Sequence, residues 1–346
     1  MEQKKILIIG GGIAGSSLAI QLLKKGTHVT LLDRGTNYST NVAAGMVNPL
    51  VFRRMNLSWK IDFFYPFAID FYESLQINTH PSLLHKIKIR RLFSSPEEKV
   101  EWNKKITLNE YAHYLNPIRQ EDLYFEGAKC PFGSGTVNAF WVDSKAYYKY
   151  SQEYIQCHGQ LLQEEFDQKK FLESKLMYDS VKYDGIVFCI GYENKKHALF
   201  DFIPVQTTKG QLISVFSDRL PMEESLNRKC YAIPKEPNTF LIGATYEWNN
   251  TTLHTDEKGK EELANKFSYI TDEPFTVIQQ EAGIRPTMLD RRPVLGQHPT
   301  LQGVHIFNGL GTKGFLMAPR LAEEMALHLL ENKPIDKEIH ISRFIA

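Results

Sequence analysis

Residues 4–34 read KKILIIGGGIAGSSLAIQLLKKGTHVTLLDR. A short apolar run, Ile6 to Ile9, leads into Gly10, Gly12 and Gly15 at G-x-G-x-x-G spacing. A helix-compatible segment then extends to about Lys25, and a second apolar run, His28 to Leu32, ends at Asp33. The spacing has a mechanical cause. The first glycine allows a tight turn, the second lets backbone approach a pyrophosphate, and the third lets the helix pack close to its strand. Ile13 and Ala14 then open a helix whose free N–H groups and dipole favour phosphate. Asp33 stands roughly 20 residues beyond the glycines, where a strand-end carboxylate accepts hydrogen bonds from ribose hydroxyls and repels a 2′-phosphate. With 22 glycines in the chain the bare spacing is weak evidence. The order strand, glycines, helix, strand, acid is what marks a dinucleotide-binding βαβ unit.

The rest of the composition bounds the answer. A chain of 346 residues with 42% hydrophobic content can bury a sizeable core and has length for about two domains. Its 41 basic and 40 acidic residues leave a net charge of +1, so charge balance supports neither nucleic-acid nor membrane binding. Cys130, Cys157, Cys189 and Cys230 are too far apart for a redox pair or a zinc knuckle, and no metal is expected. They read as buried thiols in a reducing compartment. Three glycines break the first apolar run, which therefore does not resemble a signal peptide. No apolar stretch reaches the ~18 residues of a membrane span, so the expected location is cytoplasmic.

Downstream, Val42-Ala43-Ala44-Gly45-Met46 has neither the bulk of a core strand nor the caps of a helix, and suits backbone pressed against something flat. Trp59 to Leu75 is aromatic and helix-compatible, with Pro66 expected to kink or interrupt it. A strand is predicted over Ile87 to Phe93 and a helix over Ser95 to Lys105, capped by Ser95 with Pro96 in its first turn. Short strands and turns are expected from Asn116 to Trp141, then a helix capped by Asp143 and ended by Gly159. Gly185 to Ile190 reads as a buried parallel strand ending at Gly191. Val205 to Asp218, Tyr231 to Trp248 and Phe275 to Ala282 read as antiparallel strands, with a charged helix from Asp256 to Phe267. A strand from Val304 to Phe307 and a closing helix to about Asn332 finish the chain. The strand-rich block separates two parts of the α/β unit, so the nucleotide domain is discontinuous in sequence.

Gly309, Gly311 and Gly314 repeat the G-x-G-x-x-G spacing between that last strand and helix. A second dinucleotide such as NAD(P) is one reading. The order of parts opposes it, because Asp336 and Glu338 precede Ile339-His340-Ile341 instead of following a strand. The better reading is a helix N-terminus whose free N–H groups, aided by Lys313, face an anionic part of the ligand already held by the first motif.

Taken together, GGGIAG with Asp33, AAGMVNP (43–49), KGQLISV (209–215), YAIP (231–234), GIRP (283–286) with DRRPVLG (290–296), and GTKGFLMAP (311–319) occur in an order that resembles the D-amino-acid oxidase family, its glycine and sarcosine oxidase branches above all. The resemblance spans nearly the whole chain and is weaker between residues 60 and 200. It implies an α/β protein with a discontinuous, Rossmann-like FAD-binding domain of glutathione-reductase type (1–80, 140–203, 284–346). A mainly antiparallel α+β substrate domain (81–139, 204–283) accompanies it. It places the FAD pyrophosphate at Gly10 to Gly15 and the adenosine ribose on Asp33, with Arg34 and Gly191 in the same cofactor set. Ala43, Ala44, Gly45 and Met46 would lie along the isoalloxazine. Gly311, Thr312, Lys313, Gly314, Phe315 and Leu316 would reach its N1 and C2 carbonyl edge. The family's cysteine anchor has no counterpart in Thr287-Met288-Leu289, which implies noncovalent FAD.

Arg285 is the foremost substrate candidate, since a guanidinium fork matches a carboxylate in two parallel hydrogen bonds. The family uses the arginine of G-x-R-P so, with the tyrosine matched by Tyr231 holding the same carboxylate; a structural ion pair and a core aromatic are the plain alternatives. Met46 would flank the substrate, or simply pack. Arg53 and Arg54 extend the anionic pocket or face water. The implied reaction is oxidation of the C–N bond of a small amine or amino acid (glycine, sarcosine or D-amino-acid type) by hydride transfer to flavin. The imine then hydrolyses, and oxygen or another acceptor takes the electrons. Alternatives are the oxidative domain of tRNA wobble-uridine modifying enzymes, a flavin-binding protein without turnover, and an NAD dehydrogenase. No nucleic acid is expected as partner, and a homo-oligomer is allowed.

Overall fold

The computed structural model describes residues 3–36, 38–76, 83–172 and 175–345. Two sheets organise them. One has six strands in the order Val294–Gln297, Val304–Asn308, Gly185–Phe188, Lys5–Ile9, His28–Leu32, Gln160–Leu162, all parallel except the first. Its central strands, Lys5–Ile9 and Gly185–Phe188, are apolar almost throughout because layers cover both faces. On one side lie the helices Ile13–Lys24, Ser144–His158 and Gly314–Glu331, whose apolar stripes share one core with the helix Ile61–Gln76. Tyr147 fastens that layer: its hydroxyl meets Ser16 and Ser17 Oγ at 3.0 and 2.8 Å, and its ring packs edge-on against Tyr72 and Phe315.

The second sheet has nine strands. Its path runs Glu247–Trp248, Gln206–Phe216, Thr239–Gly243, Cys230–Glu236, Glu224–Arg228, Leu84–Leu92, Ser134–Val142, Met46–Val47, with Thr276–Thr287 also paired to Gln206–Phe216. Every pairing but that of Glu224–Arg228 with Leu84–Leu92 is antiparallel. Where these two strands meet, the buried Arg90 bonds Glu224 at 2.6 Å, Asp122 at 2.7 Å and Ser134 Oγ at 2.9 Å, so no charge is left without a partner there. The fold is thus mixed α/β, parallel in one sheet and antiparallel in the other, as expected.

Several local expectations change. Pro66 sits inside an uninterrupted helix, Ile61–Gln76. It falls in the second turn, and Phe64, Ala68, Phe71 and Tyr72 are buried on either side, so packing offsets the lost backbone bond. Val42–Met46 is not a featureless loop. A short helix, Tyr38–Val42, runs into it and Met46–Val47 forms an edge strand against Phe140 and Trp141. The region before Trp141 contains one long strand, Ser134–Val142, and the strand expected over Phe275–Ala282 continues to Thr287, carrying Arg285 with it. Both strands lie across the expected domain limits at 139/140 and 283/284, while the limit at 80/81 lies outside the described residues. All four cysteines are free, but only Cys189 and Cys230 are buried; Cys130 is half-buried and Cys157 exposed on the helix Ser144–His158. Among the described residues no helix is long and apolar enough to cross a membrane, and no cluster of His, Cys, Asp and Glu could hold a metal.

Candidate active site

One continuous cavity of about 320 Å³ lies between the two sheets. At one end it is bounded by Asp33, Arg34, Glu164, Phe166, Glu193 and His197. It passes Gly10, Gly12, Ile13 and Ala14, then Ala43 to Met46, and ends against Gly311, Thr312, Gly314, Phe315, Gly210, Tyr231 and Arg285.

The narrow middle is made by glycines. Gly10 has φ +99°, and a Cβ there would lie 2.5 Å from the Cys189 carbonyl oxygen. A Cβ on Gly15 would lie 1.9 Å from the Gly10 carbonyl oxygen. Gly15 therefore sits beneath the cavity and lets the helix close on the strand, as its spacing implied. Gly12 has no side chain to cap the helix. Thr40 Oγ1 accepts from the Ile13 N–H at 3.0 Å. The other first-turn amides are left to a ligand beside Gly12 and Ala14. Asp33 lines the cavity at the end of its strand, where Oδ2 accepts from the Tyr148 hydroxyl at 2.6 Å. Arg34 is drawn sideways by Glu193 at 3.1 Å.

Arg285 stands at the far end. Among the described residues no carboxylate pairs with its guanidinium, which lies against Gly210, reaches the Thr245 carbonyl at 3.5 Å and sits 5.5 Å from the centre of the Tyr246 ring. Burial pushes its pKa down, and the Tyr231 and Tyr246 hydroxyls oppose that shift only in part. Gly210 makes room for it: a Cβ there would lie 2.1 Å from Nη2. Tyr231 faces Gly243 across the ladder, and burial raises its hydroxyl pKa far above the ordinary value, so it enters the site as a neutral donor. Asp33, Glu164, Glu165, Glu193 and His197 are all at the other end, so none of the carboxylates or histidines lining the cavity adjoins Arg285.

The structure brings most of the expected residues together on this one cavity. Besides Gly15, two stand outside it. Lys313 turns away from it, donating to the Asn48 carbonyl at 2.7 Å, and burial pushes its pKa down to about 8. Leu316 is buried in the core between the helices. Arg53 and Arg54 are exposed and do not line the cavity. Missed from the sequence were Gly210, Thr40 and the acidic end around Glu164 and Glu193, along with Lys235, whose Nζ donates to the Ala44 carbonyl at 3.1 Å. The lysine directly following YAIP was the one visible signal for the last of these.

The shape suits a flavin dinucleotide. A tight glycine turn and helix N-terminus in the middle, a ribose-binding acid at one end and a broad floor of small residues at the other match its three parts.

Comparison with known proteins gives the same answer. The family model described as FAD-dependent oxidoreductase (DAO) matches residues 5–327. Glycine oxidase of Bacillus subtilis (strain 168) is 24% identical, covering 96% of this chain and 94% of its own. The tRNA 5-methylaminomethyl-2-thiouridine biosynthesis bifunctional protein MnmC of Leptospira interrogans is 22% identical. It covers 100% of this chain, which spans 61% of that protein. Among solved structures, glycine oxidase from Geobacillus kaustophilus superimposes with a TM-score of 0.79 over 96% of both chains at 19% identity, a likeness of fold.

Proposed function

This chain belongs to the FAD-dependent oxidoreductase family, and from that premise we propose that it oxidises the C–N bond of a small amine carrying a carboxylate, of the glycine, sarcosine or D-amino-acid type. The observation that carries the proposal is the half-buried Arg285, which faces the cavity with no acidic partner among the described residues. A buried cation is costly unless something pairs with it, and a substrate carboxylate is the missing partner.

FAD, when bound along Gly10–Ala14 and Asp33 with its ring against Ala43–Met46 and Gly311–Phe315, supplies a two-electron acceptor for the hydride on the carbon bearing the amine. The chain's own residues do the rest. Arg285 takes the carboxylate in a fork and Tyr231 donates to the same group, which fixes the position of the α-carbon. Met46, from the edge strand, lines the same cavity and bounds the substrate there. Since none of the cavity's carboxylates or histidines adjoins Arg285, no general base is assigned, and deprotonation of the amine falls to solvent or to binding equilibrium. In this division the six-stranded sheet and its helices carry the cofactor, while the nine-stranded sheet forms the substrate wall.

Anaerobic mixing of the yellow protein with glycine, sarcosine, proline and D-amino acids, followed by flavin bleaching, tests the reading. Bleaching by carboxylate-bearing amines and not by their amides is expected. Equal bleaching by both removes the role given to Arg285.

A second reading has the amine carried on a tRNA nucleotide. It draws on the likeness to MnmC and on Tyr246 and Trp248, 40% and 45% exposed and joined to Arg291, directly beside Arg285. Bleaching by a carboxymethylaminomethyl nucleoside but by no free amino acid would favour it.

A further inference from the structure

Two successive carbonyls of the loop at the cavity floor point the same way. Ala44 O accepts from Lys235 Nζ at 3.1 Å, and Gly45 O accepts from the Val142 N–H at 3.1 Å. Both donors belong to the nine-stranded sheet. A trans peptide holds its C=O and N–H in one plane, pointing in opposite directions across the C–N bond. The N–H groups of Gly45 and Met46 are therefore turned away from that sheet, at two residues that line the cavity. Gly45 has φ +70°, the twist that lets consecutive amides converge into an electron-pair-binding nest. A side chain is excluded there, because a Cβ would lie 1.8 Å from the Val142 carbonyl oxygen.

Of the two donors, Val142 is a fixed backbone amide, whereas Lys235 is a titratable group in an unusual seat. Its Nζ lies 3.4 Å from the centre of the Trp141 ring, and His85 stacks on that ring at 3.9 Å and 10°. Two groups that close cannot share one face, so the indole is held between them. Among the described residues no carboxylate forms an ion pair with Lys235. Asp143 acts on it only from a distance, its Oδ1 already accepting from the Lys145 and Ala146 N–H groups at the helix start.

We propose that Lys235 is a positioning residue: its ammonium, seated between Trp141 and the Ala44 carbonyl, locks the Ala43–Met46 loop with the Gly45 and Met46 amides presented to the bound FAD, and loss of its proton releases the lock. The proposal rests on the family assignment and is independent of which amine is oxidised. An ammonium donates a stronger hydrogen bond than an amine and is drawn to an aromatic face, so both contacts weaken on deprotonation. Burial lowers the Lys235 pKa to about 7, against the upward pull of Asp143, which puts the change within reach of ordinary buffers.

The test is FAD affinity, measured without turnover from the fluorescence of released flavin between pH 6 and 9, in wild type, Lys235→Met and Lys235→Arg. A hydrogen bond from a charged group contributes about 1.5–3 kcal/mol, so its loss costs roughly 10- to 100-fold in affinity. Wild type should bind FAD tightly at pH 6 and at least tenfold more weakly at pH 9, with the inflection near 7. Lys235→Met should be weak throughout and Lys235→Arg tight throughout, neither with that inflection. A merely structural lysine would lower the melting temperature of Lys235→Met and leave the shape of the pH curve as it was. If Lys235→Met does not fold, Lys235→Arg decides alone. An inflection near pH 7 that survives in it belongs to His85 and overturns the proposal, as does wild-type affinity in Lys235→Met.

Discussion

Replacing Arg285 with methionine should separate two properties that usually fall together. The side chain is about as long and loses only the guanidinium. In the complex that group would make two charge-assisted hydrogen bonds to a carboxylate, each contributing about 1.5–3 kcal/mol. Their loss, about 3–6 kcal/mol, corresponds to about 10²–10⁴ in kcat/KM for carboxylate-bearing amines. Stability should move the other way. The guanidinium packs, half-buried, against Gly210, with no acid beside it among the described residues. Exchanging such a charge for an apolar chain of like volume gains roughly 1 kcal/mol. For a chain of 346 residues that raises Tm by about 1–2 °C. The assay pairs anaerobic flavin bleaching, for an amino acid and its uncharged amide, with calorimetry of the FAD-bound protein. A variant that keeps kcat/KM within about threefold refutes the anchor. One that loses more than about 1 kcal/mol of stability shows instead that Arg285 holds the fold.

Gly210→Ala should reach the same site without removing any charge. The new Cβ would collide with the mobile end of Arg285 and not with backbone, so the guanidinium swings aside: Tm stays nearly constant while KM for carboxylate substrates rises by about tenfold or more, as steady-state kinetics would show. His305 offers a separate handle on pH. Burial, and then His328, lower its pKa to about 4, so the folded state refuses a proton that the unfolded chain accepts below about 6.5. This contribution is intact above pH 6.5 and fades as pH falls towards 4, costing roughly 2 kcal/mol by pH 5. Urea unfolding of wild type against His305→Gln across pH 4–8 should show that extra acid-side loss in wild type alone.

What could be read from the sequence was what is local in the chain. Gly10 to Asp33 form one βαβ unit, so spacing alone located the turn, the helix start and the strand-end acid. Arg285 and Tyr231 were legible as motifs, and the family resemblance set them on one carboxylate; what was not legible is the strand register through Thr208, Gly210, Gly243 and their neighbours that brings them together. Met46 reads as loop in the sequence because its strand partner, Trp141, lies far along the chain. The place of Lys313 among glycines points it to the cavity in the sequence. Each residue at a helix start is rotated about 100° from the last, and that turn sends its side chain to Asn48 instead. Lys235 gave least away, since its meaning comes from Ala44 and Trp141, neither of them near it in sequence.

The strand order of the six-stranded sheet also governs how the protein comes into being on the ribosome. Lys5–Ile9 and its glycine turn are made first, yet Gly185–Phe188, which pairs beside them, and Val304–Asn308, which pairs beside that, emerge far later. At roughly 5–20 residues per second, the first motif waits about 15–60 s for the last strand of its own sheet. The helix Gly314–Glu331, which covers the first helix, comes later still. During that interval the cofactor cradle has only one wall, and the apolar faces of Ile6, Ile8, Leu18 and Leu22 have no permanent cover. Flavin capture is therefore a late event in the life of the nascent chain, and a stop between Asp33 and Asn308 yields a polypeptide that carries the dinucleotide signature on an incomplete sheet.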